Sequence, residues 1–170
     1  MFLPHSSSPR APARLLTLLP EVVADVAEQA FFAWAEPCGD ARFAELLVSS
    51  STSPAWHARV GFSGVVAGAL EVLLPDELAR ELGVALSGRS GASTEDGLTD
   101  EELGDVAGEL ANMLCGALLT RAGRDQPFVL RPPQVARTTG VREGGRGPSD
   151  DLLFSVNDRP VVVRFKASEA

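Results

Sequence analysis

The residues best suited to chemistry lie close together in Asp105-Val-Ala-Gly-Glu109-Leu-Ala-Asn112-Met-Leu-Cys-Gly116. At about 100° per residue, with Asp105 at zero, Glu109 falls near 40°, Asn112 near −20°, Gly116 near 20° and Gly108 near −60°. Val106, Leu110, Met113, Leu114 and Ala117 fall between about 80° and 180° on the same count. One stripe thus faces a core. The opposite stripe carries a carboxamide and two carboxylates framed by Gly108 and Gly116. Asn is neither acid nor base, but its amide donates and accepts at once and can fix the orientation of a water. A carboxylate one turn away can grip a Lys or Arg of a partner. Such a set suits catalysis by positioning, without a covalent intermediate, and phosphoryl transfer is the reaction class most dependent on placement. A glycine inside a helix is about 1 kcal/mol less favourable than alanine. Two on an outward stripe suggest that a bulky surface comes close. Glu95, Asp96, Asp100, Glu101 and Glu102 make the approach acidic, with no cation between Arg89 and Arg121.

A helix must present this stripe. Thr99-Asp-Glu-Glu102 is a capping box that opens it, and Gly123 closes it after about Arg121. Upstream, Pro20-Glu21 starts a helix with apolar Val22, Val26, Ala30 and Trp34, ended by Pro37. Arg42–Ser50 reads as a strand through Phe43, Leu46 and Val48. Ala55–Phe62 and Val65–Leu74 read as a hairpin across Ser63-Gly64, with Gly68 marking a close backbone approach. Pro75-Asp76-Glu77 starts a helix carrying Leu78, Leu82 and Leu86, and Ser87–Leu98 reads as a loop. Pro127–Leu130, Leu152–Val156 and Val161–Phe165 read as strands, the last two joined by the turn Asn157-Asp158-Arg159. Gly140–Ser149 is a Gly- and Arg-rich loop. The order predicts an α+β fold: an antiparallel or mixed β-sheet with about three helices packed on it. Residues 1–18, rich in Pro, Ser and Arg, read as a flexible tail, and 19–170 as one domain.

Composition narrows the function. The chain has 170 residues, 45% of them hydrophobic, so wholesale disorder is excluded. Its net charge of −8 argues against a nucleic-acid partner. Two Cys and two His, scattered singly along the chain, argue against a structural zinc site or a disulfide framework. Leu15–Leu19 is cut short by Pro20 and Gly64–Pro75 is broken by Glu71, so neither a secretory signal nor a membrane span is expected. The expectation is a cytoplasmic protein without membrane contact. Cys38 and Cys115 read as small buried hydrophobes. His57 and Ser63 form no triad, because nothing places an acid beside them. The Arg-rich segment at Arg137, Arg142 and Arg146 reads as a solvated loop.

The spacing Asp105-x-x-x-Glu109-x-x-Asn112 resembles the signature of the CheC/CheX/FliY group of chemotaxis phosphatases. Val60-Gly-Phe-Ser-Gly-Val-Val-Ala-Gly68, Leu73-Leu-Pro75 and Leu82-Gly-Val-Ala-Leu-Ser-Gly88 resemble its central hairpin and second helix. Residues of about 20 to 166 fit the single-motif, CheX-like form. The resemblance implies a CheC-like fold and a phosphatase acting on the phospho-aspartate of a response-regulator receiver domain such as CheY. Asn112 would orient the attacking water and Glu109 would pair with the receiver's lysine. Asp105, Gly108 and Gly116 would shape the partner surface. The chain would hold no metal of its own, the Mg²⁺ coming with the receiver. Family members of this form are dimers, so a homodimer is implied as well. Pro132 and Pro133 come slightly earlier than the family's proline and receive no role. Glu21, Asp25 and Glu28 mimic the acid spacing on the first helix, but Phe31-Phe32 stand where an Asn would be needed, so one site per chain is expected. The same surface could serve a non-catalytic adaptor or sensor in a chemotaxis or two-component pathway. A structural part in a flagellar or pilus switch, by analogy with FliY, ranks last.

Overall fold

Alternation along the central hairpin explains the layering. In the computed structural model, which describes residues 11–50, 52–88, 97–123, 126–141 and 151–169, β2 (Pro54–Ser63) pairs antiparallel with β3 (Val66–Pro75). Trp56, Ala58, Val60 and Phe62 are buried on one face of β2, while His57 and Arg59 point to the other. Further strands are β1 (Ala35–Pro37), β4 (Val129–Leu130), β5 (Gln134–Thr139), β6 (Asp151–Val156) and β7 (Arg159–Glu169). The order is β1-β6-β7-β3-β2, with β4 and β5 both on the far edge of β2. Every pairing among the described residues is antiparallel, so the fold is α+β, as expected.

Three helices cover one face: α1 (Ala11–Phe31), α3 (Asp76–Ser87) and α4 (Asp100–Ala122). Leu19, Val22, Leu78, Leu82, Leu103, Leu114 and Leu118 meet Leu70, Val72 and Val163 there in the main core. The fourth helix, α2 (Asp40–Ser50), lies on the other face, where Phe43 is buried with Ala55, Val141 and Val162. This corrects the strand expected over Arg42–Ser50. Phe43, Leu46 and Leu47 follow helical spacing, Asp40 suits the first turn, and Val48 is exposed, as a period of two would not allow.

The first helix differs at both ends. It begins at Ala11 rather than Pro20, so residues 11–18, assigned to the tail from sequence, are helical, with Leu15 buried in the core. Pro20 sits inside the helix. The helix ends at Phe31, and Ala35–Pro37 leaves as a strand against β6. Residues 89–96 and 142–150, most of the two expected loops, lie outside the described residues. The hairpins follow the sequence reading. Asn157 and Asp158 both take positive φ, 47° and 59°, as a tight two-residue turn requires. A Cβ on Gly68 would lie 2.1 Å from the carbonyl oxygen of Lys166, which is the close approach expected.

Several charges on the sheet satisfy each other. On the α2 face, Glu71 accepts from Arg164 at 3.1 Å and lies 3.3 Å from Nε2 of His57. Arg164 also makes a fork to Asp151, at 2.6 and 3.0 Å. His57 is thus one partner of an inter-strand network.

Candidate functional site

Helix α4 carries the stripe, and its start is fixed by local chemistry. Thr99 Oγ1 accepts from the Glu102 N–H at 3.2 Å, and the Glu102 carboxylate accepts from the Thr99 N–H at 2.8 Å. The capping box read from the sequence is therefore present. A second anchor was not legible. Arg137, on β5, bonds the Asp100 carboxylate at the first helical residue, lies 3.7 Å from Asp76 and stacks 5.6 Å from the centroid of the Trp56 ring. Asp76 in turn accepts from Trp56 Nε1 at 3.0 Å and from Arg80 Nε at 2.8 Å. Sheet, α3 and α4 are thus tied at one point. The three contributing segments lie far apart in sequence, and no local pattern announces them.

Burial divides much of the helix as the angular count requires. Leu103, Val106, Leu110, Leu114 and Leu118 are buried, whereas Asp105 and Glu109 are exposed and Asn112 is half-buried. The stripe spans about 10 Å from Asp105 to Asn112 at 1.5 Å per residue. Among the described residues, none of these three side chains has a hydrogen bond or ion pair within the chain. Their polar atoms are free to meet a partner or water.

The glycines part company. Gly116 is half-buried, and a Cβ there would meet only Leu130 Cδ1, at an ordinary 3.7 Å. Gly108, placed on the outward stripe by its angle, is instead buried. A Cβ there would lie 3.2 Å from both Pro133 Cβ and Val135 Cγ2. The bulky surface that it admits closely belongs to this chain. The reason is β5, a strand that the sequence reading did not find. It carries Val135 over Gly104 and Gly108, so that flank of α4 is covered. Pro133 and Val135 therefore form an apolar wall beside the acidic stripe. Pro132, next to them, is exposed.

Electrostatics leave the stripe negative. Arg121, at the end of α4, is taken up by Asp25 and by Glu21 at 3.1 Å, and the hydrogen bond to Asp25 pushes its guanidinium pKa further up. Arg137 is taken up by Asp100. Glu101, Asp105 and Glu109 remain exposed and uncompensated among the described residues. Beneath the helix, burial pushes the Cys115 thiol up to about 12, so that it stays neutral and inert. Among the described residues, no three His, Cys, Asp or Glu side chains converge as a metal site, and no helix is long and apolar enough to cross a membrane. The arrangement can orient a water through Asn112 and bind a cation through Glu109, on a surface open to a macromolecule.

Known proteins share this architecture. A family model described as chemotaxis phosphatase CheX matches residues 57–148, just over half of the chain. The CheX crystal structure from Vibrio vulnificus superposes with a TM-score of 0.66 at 18% identity, covering 95% of this chain and 100% of that one. A CheX from Desulfovibrio desulfuricans gives 0.64 at 16% identity, covering 91% and 99%. The CheX of a CheX–CheY–BeF₃–Mg²⁺ complex from Borrelia burgdorferi gives 0.51 at 15% identity, covering 92% and 97%. At these identities the likeness is one of fold. No curated protein matches the sequence.

Proposed function

Because the chain belongs to the CheX family of chemotaxis phosphatases, we propose that it accelerates hydrolysis of the phospho-aspartate of a CheY-like response-regulator receiver domain. The observation that carries this reading is the outward stripe of α4, where Glu109 and Asn112 stand three residues apart on one face without partners among the described residues. The neighbouring complex supports it, since that CheX is bound to CheY with beryllofluoride and Mg²⁺.

In this mechanism the Asn112 amide holds a water in line with the phosphorus. It accepts one hydrogen bond from the water and leaves an oxygen lone pair aimed at the phosphoryl group. The Glu109 carboxylate pairs with a lysine of the receiver, which fixes the register of the two proteins. Asp105 and Glu101 extend the negative surface toward a cationic rim and favour encounter. The Mg²⁺ that neutralises the phosphoryl oxygens comes with the receiver. The half-burial of Asn112 suits its role, because a carboxamide partly withdrawn from solvent has fewer competing orientations.

The test is to mix the protein with a phosphorylated receiver and Mg²⁺ and follow the decay of the phosphoryl group. Faster decay, lost in Asn112→Ala, is the expected result. Tight receiver binding without faster decay would assign the surface to an adaptor and refute the catalytic reading.

A further inference from the structure

The end of α1 carries a second surface that the receiver reading leaves unused. Phe32 has φ +52°, the left-handed conformation that follows a helix end and that glycine normally supplies. Its ring is 82% exposed, and Trp34, two residues on, is 71% exposed. A bulky residue in this conformation is strained, and an exposed ring repays none of that strain by packing within the chain.

The segment is nonetheless held firmly. The Ala33 N–H bonds the Ala27 carbonyl at 2.9 Å. The Trp34 N–H bonds Asn157 Oδ1 at 2.8 Å, and its carbonyl accepts from the Asn157 N–H at 2.9 Å. Asn157 Nδ2 then reaches Glu81 of α3 at 2.6 Å. Two aromatic side chains thus stand on a backbone fixed from both sides, the condition for a preorganised contact.

The surroundings are acidic. Glu36, two residues beyond Trp34, is exposed. Asp158 and Glu45 share Arg42, and Glu77 and Glu81 share Arg159. Five carboxylates meet two guanidiniums, an excess of three negative charges among the described residues.

We propose that Phe32 and Trp34 form a docking surface for a basic amphipathic segment of a second protein partner, separate from the α4 stripe. Apolar side chains of that segment would cover the two rings. Its Lys or Arg side chains would lie over the indole face and pair with the acidic rim.

The test uses a fluorescent helical peptide of about 15 residues with a Leu face and a Lys face, and its counterpart with Glu in place of Lys. The protein is expected to bind the first and not the second, and Phe32→Gly or Trp34→Ala to weaken binding at least about ten-fold. Asn112→Ala and Glu109→Ala should leave this binding unchanged, which separates it from receiver hydrolysis. Phe32→Gly should also raise Tm, by about 2–4 °C, because glycine relieves the left-handed strain. No binding, or binding indifferent to both ring substitutions, overturns the proposal. So does a lower Tm in Phe32→Gly, which would give the ring an intramolecular role. Concentration-dependent self-association abolished by the ring substitutions would assign the surface to a second copy, and vesicle binding abolished by them would assign it to lipid; either overturns the proposal.

Discussion

Gly108 on α4 faces Val135 on β5 so closely that a Cβ on the glycine would lie 3.2 Å from Val135 Cγ2 and equally close to Pro133 Cβ. The helix that bears the candidate catalytic stripe thus lies so close to the sheet edge that a side chain at Gly108 would have to displace Pro133 and Val135 by a few tenths of an ångström. Gly116, two turns on, would make only an ordinary contact, with Leu130 at 3.7 Å.

The two glycines should therefore respond differently to alanine. Gly116→Ala gains helix propensity at no steric cost and should stabilise by up to about 1 kcal/mol. Gly108→Ala gains the same propensity but must move Pro133 and Val135, and overpacking of this kind costs about 1–3 kcal/mol. Chemical denaturation of both variants should place Gly108→Ala below Gly116→Ala in stability by at least about 1 kcal/mol. Equal stabilisation would show that β5 yields freely and positions nothing.

Arg137 should hold the start of α4. Its substitution by Ala removes the bond to Asp100 and the stacking on Trp56, and weakens the surroundings of the mostly buried Asp76. The guanidinium is 41% exposed, so solvent screening limits the loss to about 1 kcal/mol. Arg137→Lys should recover only part of it, because an ammonium cannot bridge and stack at once. Thermal melts of the three proteins should show this order, with the differences shrinking at about 0.5 M salt. Identical melts would show that Arg137 does not hold the start of α4.

Cys115 should make stability fall in alkali. Its thiol is raised from 9.0 to about 12 by burial in the core. Between these values the unfolded chain ionises and the folded one does not, so unfolding releases a proton and stability declines as pH rises. The slope approaches about 1.4 kcal/mol per pH unit for one such group. Denaturation between about pH 8 and 10.5 should show the decline, and Cys115→Ala, in a Cys38→Ser background, should flatten it. An unchanged slope would mean that other groups dominate. In native protein, alkylation should modify half-buried Cys38 before Cys115.

How far the sequence reveals this molecule depends on how local each cause is. The Thr99 capping box, the central hairpin, the close approach at Gly68 and the Asn157-Asp158 turn are set by neighbours a few residues apart, and all appear as read. The period of α4 likewise separates Glu109 and Asn112 from Leu110 and Leu114. The rest was decided by tertiary contact. Residues 40–50 hold two periods at once, and the helix is chosen because Phe43 finds Ala55, Val141 and Val162 across the sheet. Gly108 is buried because β5 pairs with β2, and Gln134–Thr139 is exposed throughout, so it offers no alternation to read. The Arg137–Asp100 and Arg137–Asp76 pairs join residues remote in sequence, beyond the reach of any local pattern.

In the proposed reaction Asn112 aligns water and Glu109 holds the receiver, and steady-state dephosphorylation of a phosphorylated receiver separates the two roles. Asn112→Ala should lower kcat about 10²–10³-fold with KM nearly unchanged, since it removes an interaction needed only at the transition state. Glu109→Ala should act chiefly by raising KM, with the loss growing smaller as salt screens the pairing. An Asn112→Ala protein that turns over the receiver at the unsubstituted rate would contradict a water-orienting role for Asn112.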